Sequence, residues 1–70
     1  MNEITITTEF IKLDAFLKFA GICSTGGEAK IRIEQGDVLV DGAPCFQRGR
    51  KLRDGARVQI DGQTYAVISA

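Results

Sequence analysis

Histidine is missing from the chain altogether, and its two cysteines, Cys23 and Cys45, stand far apart. Without imidazoles or closely spaced thiols a zinc site has no ligand set, and a CxxC redox pair is absent. Both cysteines read as small buried or half-buried apolar residues. Long hydrophobic runs are also lacking, since Lys12, Asp14 and Lys18 interrupt the apolar stretches. Neither a signal peptide nor a membrane span is therefore expected, and the expected location is cytoplasmic. Net charge is nil, with nine basic and nine acidic residues, and there is a single proline. With 44% apolar residues, this is an ordinary globular composition, neither disordered nor of low complexity. Catalytic equipment is equally thin: no nucleophile stands with a base, and Asp41, Asp54 and Asp61 each precede a glycine, where turn chemistry explains them. No enzyme, catalytic residue, metal or cofactor is expected.

What is present fits one domain, residues 1–70, near the lower size limit for folding on a single core. Glu3–Thr8 alternates apolar and polar β-branched residues and predicts a half-buried strand. Leu13, Phe16, Leu17 and Ala20 fall on one face of a short helix that Gly21 closes. Thr25-Gly-Gly-Glu28 fits a capping box, in which hydroxyl and carboxylate satisfy each other's orphan backbone donors. The second helix should run to about Gln35 and end at Gly36, although Ile31 and Ile33 also alternate like a strand. Val38-Leu39-Val40 and Asp41-Gly42 predict a strand and a tight hairpin, and residues 57–60, Asp61-Gly62 and residues 64–68 predict a second. The expected class is α+β: two short helices packed on a small, mostly antiparallel sheet. Its core should hold Ile4, Ile6, Leu13, Phe16, Leu17, Ala29, Ile33, Val38, Val40, Val58, Ile60 and Val67.

Charge is unevenly distributed. Residues 42–53 carry Arg48, Arg50, Lys51 and Arg53 with no acid, whereas residues 1–41 carry Glu3, Glu9, Asp14, Glu28, Glu34, Asp37 and Asp41 against Lys12, Lys18, Lys30 and Arg32. A neutral protein can still present one positive face. Phe46 and Leu52 bracket the basic run as apparent anchors, which would order the loop and fix its charges for phosphate contact. Gly26-Gly27 at a helix start could serve tight packing of the turn, close approach of an RNA backbone, or both. The Walker spacing is absent. Stacking platforms look scarce, because Tyr65 falls in the last strand and the four Phe read as core.

From Lys12 to Ile60 the order of features resembles the alpha-L RNA-binding motif, the domain named for small-subunit ribosomal protein S-four. Lys12-Leu13-Asp14 opens the first helix, Gly21 closes it, Ser24–Lys30 enters the second, and Gly36 and Val38–Gly42 follow. Within that superfamily, Thr25–Lys30 together with Arg48-Gly-Arg-Lys-Leu52 is similar to the free-standing bacterial YbcJ/YaaA-type small proteins, which consist of little beyond this domain. The resemblance implies a non-catalytic cytoplasmic protein that grips structured RNA, ribosomal or transfer, through Lys12, Lys18, Thr25, Gly26, Gly27, Lys30, Arg48, Arg50 and Lys51. It departs from many relatives at Lys12, where they carry Arg, at Asp41, where Asn is common, and at Gln47, where another Arg is frequent. Each change trims positive potential or bidentate grip on phosphate.

The first functional reading is thus an RNA-binding monomer that recognises shape and phosphates of a folded RNA. A different class, a small adaptor using the same face against an acidic, ribosome-associated protein, is the alternative. DNA binding lacks a groove-entering recognition helix.

Overall fold

Two Asp-Gly pairs set the hairpins. Asp41 and Gly42 have φ of 51° and 86°, and Asp61 and Gly62 have 53° and 75°. Positive φ at both central residues is the type I′ arrangement, whose twist matches that of paired strands. The computed structural model describes residues 1–70. In chain order its elements are β1 (Asn2–Ile6), β2 (Ile11–Lys12), α1 (Leu13–Phe19), α2 (Gly26–Glu34), β3 (Leu39–Val40), β4 (Ala43–Pro44), β5 (Lys51–Leu52), β6 (Arg57–Ile60) and β7 (Gln63–Ser69). Five strands form one sheet in the order β1-β7-β6-β3-β4. All neighbours are antiparallel except β1 and β7, which run parallel with Ile6 beside Ser69. The class is α+β, as the sequence predicts.

Strand β1 stops at Ile6, short of the expected Thr8. The Thr8 hydroxyl donates to the Phe10 carbonyl (2.8 Å), and the Thr8 carbonyl accepts from the Ser69 hydroxyl (2.9 Å), so this segment turns away from the ladder. A second, two-stranded pairing of β2 with β5 was not expected.

Both helices end as their glycines dictate, with Gly21 and Gly36 at φ of 77° and 80°. Past Gly21, the Leu17 carbonyl accepts from the amides of Ile22 and Cys23 at 2.9 and 3.0 Å. Thr25 caps α2, its hydroxyl accepting from the Glu28 amide at 3.1 Å. The Glu28 carboxylate, however, accepts from the Ser24 amide at 3.1 Å, one residue further back than a simple capping box requires. Thr25→Ala is expected to cost about 0.5–2 kcal/mol, and Thr25→Ser far less. Urea unfolding curves of the two variants check this, and equal midpoints would remove the cap.

One core joins the helices to the inner face of the sheet. It contains every residue expected there except Ile4, which is half-buried and packs against it. Cys23, Cys45 and Leu52 complete it, so both cysteines are the small buried apolar residues the sequence suggests. Phe16 meets Tyr65 edge-on at 6.5 Å between ring centres. No polar side chain is buried. Two expectations about phenylalanine fail. Only Phe16 is buried, while Phe19 and Phe46 are 61% and 62% exposed. Phe46 therefore does not anchor the basic loop; Leu52 alone does, from β5. No helix is long and apolar enough to cross a membrane.

Candidate nucleic-acid interface

The basic loop is fastened by main chain. At the start of α1 the amides of Leu13 and Asp14 have no partners within the helix, and Lys12 offers no side-chain cap. They donate instead to the carbonyls of Arg50 (2.9 Å) and Arg48 (3.0 Å). The loop itself is tightened by the Arg50 amide donating to the Gln47 carbonyl at 3.1 Å. Next to this clamp, Ile11 pairs with Leu52 and Lys12 with Lys51. Segments that are distant in sequence thus deliver Lys12, Arg48, Arg50 and Lys51 to one place.

Two lysines directly opposite one another on a ladder repel, a local cost in stability. No acid relieves it. The ion pairs in the structure are Arg32 with Asp37 and Asp61, and Arg53 with Glu9. Lys12, Lys18, Lys30, Arg48, Arg50 and Lys51 are exposed and have no carboxylate within ion-pair distance. Arg53, the last cation of the run, is held by Glu9 at 3.0 Å. Its guanidinium also lies 5.5 Å from the centre of the Phe10 ring, which Lys51 Nζ approaches at 4.8 Å. The Phe10 face steadies both cations. Arg32 is likewise occupied: hydrogen bonds to Asp61 and Asp37 push its pKa up, so it stays charged and committed to the β6–β7 turn.

The remaining residues expected at the site lie on the helix pair. Lys18 is near the end of α1, about 9 Å along its axis from Lys12. Thr25, Gly26, Gly27 and Lys30 occupy the first turns of α2, and all are exposed. The amides of Gly26 and Gly27 have no acceptor in the protein, so the positive end of that helix is open. Behind this turn, burial raises the Cys23 thiol above its usual pKa, and the neighbouring Glu28 carboxylate adds to the effect. Hydrogen bonds from Leu13 and Asp14, the residues after Lys12, tie the start of α1 to the basic loop; none ties Lys18 or Lys30 to it.

Beside the clamp is a shallow hollow of about 330 Å³, lined by Val40, Asp41 and residues 50–56. Its two acids are engaged, Asp41 accepting from the Arg57 amide at 3.0 Å and Asp54 from the Ser69 amide at 2.8 Å. Phe10, the β2–β5 pairing and the exposed Phe46 are the features here that sequence reasoning missed. Two-residue strands carry no readable period, and an aromatic beside a basic run looks the same buried or exposed.

The chain has known relatives. Residues 4–68 match the S4 domain family. A Bacillus subtilis protein described as a probable ribosome maturation protein, RlbA, is 46% identical over 61 residues, covering 87% of this chain and 86% of that one. The solution structure of YbcJ from E. coli, described as revealing an αL motif involved in RNA binding, superposes with a TM-score of 0.74 at 30% identity, covering 99% of this chain and 89% of that one. With nearly its whole length matched, this chain belongs to the S4 domain family.

Proposed function

We propose that residues 1–70 act as one non-catalytic RNA-binding unit, working in the cytoplasm as a monomer on structured RNA. Ribosomal RNA is favoured over transfer RNA because the relative from B. subtilis is described as a probable ribosome maturation protein. The contact set is Lys12, Lys18, Thr25, Gly26, Gly27, Lys30, Arg48, Arg50 and Lys51. The observation that carries this reading is the pairing of Lys12 with Lys51 beside Arg48 and Arg50, all exposed and none neutralised. A polyanion removes the repulsion between the two lysines, so binding gains what folding gives up. Phosphate also suits the open amides of Gly26 and Gly27. The Thr25 hydroxyl accepts from Glu28 but keeps its own proton to donate.

Titrating a labelled ribosomal-RNA hairpin at increasing potassium chloride tests the reading. With about five phosphates neutralised, log affinity should fall against log salt with a slope of about −3.5 to −4.5, and a fourfold rise in salt should weaken binding by ~100- to 500-fold. Salt-insensitive association would overturn it. Co-purification of an acidic protein without RNA would move the same surface to the adaptor reading.

A further inference from the structure

Phe46 is the one aromatic ring on the segment that carries the free arginines. The residue is 62% exposed, but its ring touches Gly36 and the backbone on either side of it is held. One ring edge rests on Gly36, where an added Cβ would come within 3.2 Å of Phe46 Cε1. The preceding residue, Cys45, is buried, with its amide donating to the Val38 carbonyl at 3.0 Å and its thiol to the Gln47 carbonyl at 3.7 Å. The following turn is closed by Arg50 and Gln47. A single exposed apolar residue is common and means little by itself. A ring held in place, with unpaired Arg48 and Arg50 shortly after it and no acid between residues 42 and 53, is a narrower arrangement.

We infer that Phe46 is a stacking platform for an unpaired nucleobase whose neighbouring phosphates are held by Arg48 and Arg50. The inference rests on the RNA-binding reading and deepens it. Phosphate contacts alone grip any folded RNA, whereas a ring beside them selects RNA with a base free of the helix. Stacking is tolerant of base identity because every base has a π-face, so the ligand class is a loop, bulge or end and not a sequence. An acidic peptide would satisfy the arginines and leave the ring uncovered, which favours the nucleotide.

The test uses two RNA hairpins with the same stem, one with an adenosine loop and one whose loop is abasic and so keeps its phosphates without bases. Phe46→Ala should weaken binding to the adenosine loop by roughly 5- to 150-fold and leave the abasic hairpin nearly unchanged. Phe46→Tyr should retain affinity for the adenosine loop and Phe46→Leu should not, since Leu keeps apolar bulk without the π-face. The chain has no tryptophan, so Phe46→Trp also supplies a single reporter whose fluorescence the adenosine loop should quench. Equal losses on both hairpins, or full binding by Phe46→Ala and Phe46→Leu, would overturn the platform while leaving phosphate binding standing. If the unaltered protein ignores both hairpins, the RNA-binding reading falls and the platform falls with it.

Discussion

Reversing Arg50 and Lys51 to Glu together is expected to abolish RNA binding while the protein stays folded. Hydrogen bonds to charged groups contribute about 1.5–3 kcal/mol each, so losing two phosphate contacts should weaken affinity by roughly 100-fold or more before the repulsion of two new anions is counted. Residual binding at low salt should show a slope shallower by about two, one for each lost contact. The fold should survive because the clamp on α1 uses the Arg50 carbonyl and not its guanidinium. Lys51 gives up only its position over Phe10, about 0.5–1 kcal/mol for an exposed pair. A glutamate there would instead face Lys12 across the β2–β5 pairing. Circular dichroism separates loss of binding from loss of fold, and Glu3→Lys on β1, away from the clamp, is the control that should change little. Wild-type affinity in the double reversal would remove these residues from the interface.

Leu17→Ala should produce the largest stability loss. Leu17 is fully buried, and α1 is only seven residues long, too short to hold its shape without packing. Removing its side chain should cost about 2–5 kcal/mol, depending on how far the core closes over the gap. A chain of this size has roughly 4–10 kcal/mol in total, so the melting temperature should fall by about 8 °C or more. The effect should reach the interface too, because α1 positions Lys18 directly and receives the basic loop at its start. An unchanged melting temperature would contradict the place of Leu17 in the core.

Local chemistry was legible in the sequence wherever one residue type solves a local problem. Asp41-Gly42 and Asp61-Gly62 foretold both turns, Thr25 with Glu28 foretold the start of α2, and Gly21 and Gly36 foretold both helix ends. The apolar period placed nearly the whole core. What escaped depended on partners remote in sequence. The strands of β2 and β5 are two residues each and exist because each finds the other. Phe46 and Leu52 bracket the same basic run, and only the path of the loop exposes one and buries the other. Of the candidate site, residue types and segments could be read beforehand; the opposition of Lys12 to Lys51 could not, since it is a matter of register.

The parallel union of β1 with β7 bears on the timing of folding during synthesis. Asn2–Ile6 is made first, but its only sheet neighbour is Gln63–Ser69. The two helices and the β3–β4 hairpin can form from contacts close in sequence while the first strand waits, its edge unsatisfied. Closing such a long loop is entropically costly and tends to come late. A nascent chain halted before residue 63 would thus lack both the partner of its first strand and the Val67 side of its core, and the emergence of β7 supplies both.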